Sequence, residues 1–96
     1  MKRPLLAGGS DVPYRVILKP AADRDLDKLP RDVARRIAEQ LRALATDPRP
    51  PGTVKMQGTR NEYRVRVGDY RIVFEVNDRE QTVRVGRIAN RREVYK

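Results

Sequence analysis

The sequence predicts an α+β fold of order βααβββ: an antiparallel sheet with an N-terminal helical hairpin packed on one face. Three observations carry this reading. Tyr63-Arg64-Val65-Arg66-Val67 alternates strictly, the mark of a strand with one buried face. Val33, Ala34, Ile37, Ala38, Leu41, Leu44 and Ala45 recur at helical spacing and form one apolar stripe. Proline and glycine punctuate the chain between such segments, as in Asp47-Pro48-Arg49-Pro50-Pro51-Gly52.

In chain order, Tyr14-Arg15-Val16-Ile17-Leu18 is β-rich and reads as the first strand. Lys19-Pro20 ends it, and Pro20, which lacks a donor, suits the first turn of a helix. Ala22, Leu26 and Leu29 then keep helical spacing up to a corner at Pro30, where the longer helix begins. Arg35, Arg36, Glu39 and Arg42 occupy that helix's polar side, and the Pro-rich stretch after Asp47 stops it. Gly68-Asp69 reads as a tight turn between Tyr63–Val67 and the partner strand 70–76, which turns Tyr70, Ile72, Phe74 and Val76 to the core. After a polar turn at Asn77–Glu80, Thr82-Val83-Arg84-Val85 opens the last strand. Plain alternation would bury Arg87 and expose Ile88, so a bulge near Gly86 is expected to shift the phase.

The chain has 96 residues, enough for one domain and no second core. Residues 14–96 are read as that domain and residues 1–13 as a flexible leader. The apolar part of the leader is too short for a signal peptide, and no transmembrane-length run follows; a cytoplasmic protein is expected. Lysine and arginine number 22 against 13 acidic residues, a formal charge of +9, which points to polyanionic partners rather than to any fold. With no cysteine there is no thiolate nucleophile or Cys-ligated zinc, and with no histidine the usual general acid–base is missing. No metal or cofactor is expected.

Alternation has a chemical consequence. If Tyr63, Val65 and Val67 face the helices, Arg64 and Arg66 stand on the opposite face, joined there by Arg71 from the neighbouring strand. Like charges so placed repel, and a sheet selected only for stability would avoid them. A phosphate-binding surface gives the cluster a reason, against the plainer reading of an arginine-rich solvated strand. The tail Asn90-Arg91-Arg92-Glu93-Val94-Tyr95-Lys96 adds guanidiniums and a phenol.

The tract from Tyr63 to Val76 resembles the central hairpin of the RelE/ParE toxin superfamily, and Arg91-Arg92-Glu93-Val94-Tyr95 resembles the ending of RelE-type members. Leu29-Pro30 in the helical hairpin and the Lys55-Met56-Gln57-Gly58 approach fit as well, so the resemblance covers roughly residues 14–96. It implies a RelE-like, microbial-ribonuclease-like fold and the toxin part of a type II toxin–antitoxin system. The implied activity is an endoribonuclease that cleaves mRNA, with the ribosome and a cognate antitoxin protein as partners. By position, Arg64 and Arg66 match two basic residues that are often lysines, Arg71 matches the phosphate-binding arginine, Arg91 (or Arg92) the C-terminal arginine, and Tyr95 the functional tyrosine. Lys55, Arg84, Arg92 and Lys96 are expected to add RNA contacts. ParE-like relatives share the fold and poison DNA gyrase without cutting RNA; a basic module that has lost toxicity is a third reading.

Residue chemistry constrains the mechanism. Attack of a ribose 2′-OH on the adjacent phosphorus needs a proton acceptor, a charge clamp and a proton for the leaving 5′-oxygen. Arginine, with a pKa above about 12, is a poor base and a good clamp for the pentavalent dianion. Tyrosine, near pKa 10, is a weak base unaided. A guanidinium about 4 Å away, at an effective dielectric of about 20, stabilises phenolate by at most roughly 4 kcal/mol before solvent screening. Tyr95 is thus read as base or 2′-OH orienter, with Arg71 and Arg91 on the phosphate and Arg64 and Arg66 stabilising charge. Two departures from relatives matter: arginine replaces lysine on the first strand, and Asn90 stands where histidine or lysine is common. Glu62 and Glu93 remain rival bases, though such surface carboxylates more often serve as ion-pair partners.

Overall fold

The computed structural model describes residues 3–4 and 14–90. A short strand β1 (Arg3–Pro4) precedes β2 (Arg15–Leu18), α1 (Pro20–Asp27) and α2 (Arg31–Thr46). Four strands follow: β3 (Val54–Lys55), β4 (Glu62–Val67), β5 (Tyr70–Asn77) and β6 (Thr82–Asn90). They form one sheet in the order β1-β2-β6-β5-β4-β3. The expected βααβββ core is present, with β1 and β3 added at the two edges.

The sheet is antiparallel from β3 to β6, as expected, but β2 joins β6 in parallel, Arg15 opposite Thr82 and Leu18 opposite Val85. The sheet is therefore mixed. Parallel neighbours need a long crossover; here the chain between them includes the helical hairpin and the β3–β5 meander. Arg3 and Pro4, placed by sequence in a flexible leader, instead pair with Leu18 and Ile17. An edge strand tolerates a proline because one side of it makes no ladder bonds. Residues 5–13 lie outside the described part.

Each helix follows from its sequence. Pro20 occupies the first turn of α1, where its missing N–H breaks no helical bond. In α2 the stripe lands where its period puts it, with Ile37, Leu41, Leu44 and Ala45 fully buried. The extended backbone at Asp47 then ends the helix ahead of Pro48. Opposite the stripe, the inner face of the sheet supplies Val16, Leu18, Val65, Ile72, Phe74, Val76, Val83, Val85 and Ile88. Tyr63 stacks on Phe74 with ring centroids 6.0 Å apart.

The bulge falls at Gly86. Val73 pairs with Arg87 and Phe74 with Val85, leaving Gly86 as the extra residue. The slip returns Ile88 to the core at 2% exposure and leaves Arg87 exposed. Here β2 has also ended, its last partner on β6 being Val85. Helix α1 takes over that edge: Asp25 Oδ2 accepts from the backbone N–H of Ile88 at 2.9 Å and from Arg87 Nε at 2.8 Å. A carboxylate on a helix thus closes a strand edge that would otherwise lie open.

Candidate nucleic-acid interface

The β4–β5 hairpin builds the site. Burial of Val65, with Tyr63 and Val67 partly buried against the core, turns Arg64 and Arg66 to the outer face. Val67 pairs with Tyr70 across the Gly68–Asp69 turn, so Arg66 stands directly opposite Arg71. Beyond Arg64, β3 adds Val54 in register. A cleft of about 330 Å³ results, lined by Gly52, Val54, Arg64, Arg66 and Arg71. Arg71 is only 5% exposed and lies opposite the small Ala89 of β6, whereas Arg66 is exposed and Arg64 half-buried. One guanidinium therefore sits at the base of the cleft and two at its rim. That arrangement suits a dianionic tetrahedral or pentavalent group better than a flat basic surface does, because each guanidinium offers directed N–H donors. Among the described residues no three His, Cys, Asp or Glu side chains come together to hold a metal ion.

The structure brings together Arg64, Arg66 and Arg71, as the alternation predicted. It does not bring in Lys55, which pairs with Tyr63 and so stands on the opposite face of the sheet. Arg84 faces Glu75 across β5 and β6 and forms an ion pair with Glu80 at 3.3 Å. Glu62 sits directly across from Glu75, and both line a separate hollow of about 100 Å³ with Lys19 and Arg84, outside the arginine cleft. Arg91, Arg92, Glu93, Tyr95 and Lys96 lie outside the described residues. The last described residue, Asn90, pairs with Tyr70, one place from Arg71 and Ala89.

Sequence reasoning missed the wall of the cleft and what anchors it. Gly52 and Val54 follow the turn after α2, and Gly52 adopts a φ of 91° that favours glycine. That turn is tied to the far corner of the sheet. Arg49 grips Asp78 through Nη2 at 2.9 Å and Nη1 at 3.2 Å, and the Tyr14 hydroxyl donates to the same carboxylate at 2.6 Å. The Arg49 guanidinium also lies 5.0 Å from the centroid of the Tyr63 ring. Hydrogen bonds from Arg49 and then Tyr14 hold the Asp78 carboxyl below the ordinary carboxylate range. The bond to Asp78 pushes the Tyr14 phenol up and, with Tyr63, the Arg49 guanidinium up as well. Arg49 and Asp78 lie 29 positions apart on irregular segments, so no periodicity in the sequence announces them.

Fold and cleft together define a small mixed-sheet α+β domain that presents clustered arginines to an anion. The family model for the ParE toxin of type II toxin–antitoxin systems matches residues 16–95. The chain belongs to this family, within the RelE/ParE superfamily of toxins. It is 31% identical over 87 residues to Toxin RelE of Mycobacterium tuberculosis, covering 90% of each chain. Its fold matches the toxin–antitoxin complex RelBE2 of the same organism with a TM-score of 0.74 and 28% identity, over 83% of this chain and all of that one. It also matches the archaeal RelE–RelB complex of Pyrococcus horikoshii OT3 with a TM-score of 0.74 and 30% identity, over 82% of this chain and 96% of that one. Among the described residues, no helix is long and apolar enough to cross a membrane.

Proposed function

We propose that this toxin is a cytoplasmic endoribonuclease that cleaves mRNA, in the manner implied by its RelE-type residues, and is restrained by a cognate antitoxin. The observation that carries the reading is the convergence of Arg64, Arg66 and Arg71 on one cleft. Three guanidiniums offer more positive charge than a single phosphodiester carries, and they match the extra charge that develops as the 2′-oxygen attacks. In the proposed reaction the 2′-OH adds to phosphorus, its proton passes to a base, and the 5′-oxygen leaves with a proton, giving a 2′,3′-cyclic phosphate. Arg71 holds a non-bridging oxygen from the base of the cleft, while Arg64 and Arg66 stabilise the dianion from the rim. Tyr95 acts as base or orients the 2′-OH, and Arg91 completes the clamp. Lys55 is left out of the RNA contacts because of its face. The ribosome supplies the mRNA in this scheme, and an antitoxin segment of acidic or amphipathic character would cover the basic face.

Brief induction of the gene followed by mapping of mRNA 5′-ends tests the reading. New ends within translated messages are expected, and they should vanish in Arg71→Ala and Tyr95→Phe variants. The family model's ParE description favours one competing activity, poisoning of DNA gyrase. A DNA-damage response with intact messages would establish that activity in place of RNA cleavage.

A further inference from the structure

Deepening the RNA-cleaving reading on which it rests, we propose that Arg36 of α2 is a second phosphate-binding residue. It extends the basic surface of the arginine cleft around the β4–β5 turn and holds the RNA backbone where the strand rounds the end of the hairpin. Arg36 is exposed on the polar side of α2, a position where a long side chain ordinarily extends into water. Instead its guanidinium lies on the hairpin turn. A Cβ at Gly68 would meet Nη2 at 3.2 Å, Nη1 at 3.6 Å and Cζ at 3.7 Å. Gly68 has a φ of 59° and no side chain, so the turn both requires glycine and leaves room for the guanidinium.

Nothing among the described residues satisfies that guanidinium: Arg36 takes part in none of the hydrogen bonds or ion pairs found there. Asp69 lines the same hollow of about 110 Å³, with Val33, Val67, Gly68 and Tyr70, without bonding to it. A cation that rests against the turn with its donors free is open to an anion. Its place relative to the cleft fits a polynucleotide. The turn lies two strand residues beyond the Arg66–Arg71 pair, about 7 Å at the usual rise. Val33, Val67 and Tyr70 beside Arg36 belong to the helix-covered side, so a strand that touches both Arg36 and the cleft must pass round the end of the hairpin. Arg35, the next residue, projects about 100° away around the helix and provides an internal control.

The test is equilibrium binding of a short single-stranded RNA carrying 2′-O-methyl riboses, which is bound without being cut, across a range of KCl concentrations. Loss of one phosphate contact should make the slope of log K against log salt shallower by about 0.7 in Arg36→Gln. Arg35→Gln should keep the parental slope. Gly68→Asn, which tolerates a left-handed backbone while placing side-chain atoms where the guanidinium rests, should reproduce the Arg36→Gln slope. Equal slopes for parent and Arg36→Gln, or equal losses in Arg35→Gln and Arg36→Gln, would overturn the assignment. Cleavage of cellular mRNA by the parent is scored separately. A parent that binds the probe with the Arg36-dependent slope yet cuts no message leaves the Arg36 assignment standing and removes the cleavage reading, and a parent that cuts cellular messages yet binds no probe removes the Arg36 assignment alone.

Discussion

Replacing Arg66 by glutamine should stabilise the fold and weaken the activity at the same time. Arg66 faces Arg71 directly across the β4–β5 ladder and shares its face with Arg64 two residues away. Two unit charges about 6 Å apart in a water-like dielectric repel by about 0.7 kcal/mol. Like charges placed opposite one another on a sheet cost about 0.2–1 kcal/mol by direct comparison. Arg66 is exposed, so its removal opens no cavity, and a gain of about 0.5 kcal/mol is expected, which for a domain of this size raises Tm by roughly 2–4 °C. The gain should disappear near 1 M salt, where the screening length is about 3 Å. Cleavage should move the other way. A charge-assisted hydrogen bond contributes about 1.5–3 kcal/mol, and at 1.36 kcal/mol per decade its loss lowers kcat/KM roughly ten- to a hundredfold. Thermal melts at low and high salt, with cleavage assays on the same preparations, measure both. A variant that melts lower than the parent at low salt, or cleaves at the parental rate, would refute the idea that stability is sacrificed for charge at this position.

Other perturbations probe the frame. Asp78→Asn should flatten the acid side of the stability profile: a carboxyl whose folded pKa is lowered contributes stability above its ordinary value of 3.8, and loses it as pH falls through the lowered one. Urea midpoints of parent and variant should accordingly differ at neutral pH and converge on strong acidification. Asp25→Ala leaves the Ile88 N–H without its acceptor and should cost about 1–3 kcal/mol in chemical denaturation. Leu41→Ala should cost about 2–5 kcal/mol by the same measurement, since Leu41 is fully buried in the core. The two hairpin glycines should separate cleanly. Gly68→Ala is expected to cost about 1–2 kcal/mol for its left-handed backbone, whereas Gly86→Ala should change stability by no more than about 1 kcal/mol, its Cβ meeting only the Val73 carbonyl at 3.8 Å.

The parts of the molecule legible in the sequence were those set by local period. Alternation around Val65 placed Arg64 and Arg66, the stripe from Val33 to Ala45 placed α2, and the conflict between Arg87 and Ile88 located the bulge at Gly86. Alternation reports which face a residue occupies, and carries no information about which distant strand lies alongside. The parallel pairing of β2 with β6 was therefore out of reach, as was the edge pairing of Arg3 and Pro4. The face of Lys55 was out of reach for a related reason: two residues are too few to show a phase, and its face is fixed only by pairing with Tyr63. The Arg49–Asp78–Tyr14 anchor joins three irregular or terminal positions, where neither period nor turn chemistry applies.

The position of β6 has a consequence for how the toxin comes into being. It is the last of the described elements in the chain, yet it lies in the interior of the sheet, between β2 and β5. Until its residues have been synthesised, β2 has no neighbour on that side and the β4–β5 hairpin has no link to it through the sheet. A nascent chain can form its helices and its hairpin locally, but those halves remain unjoined, because closing so long a loop waits on β6. A protein whose proposed substrate is mRNA thereby joins the two halves of its sheet only after every other described element has been synthesised.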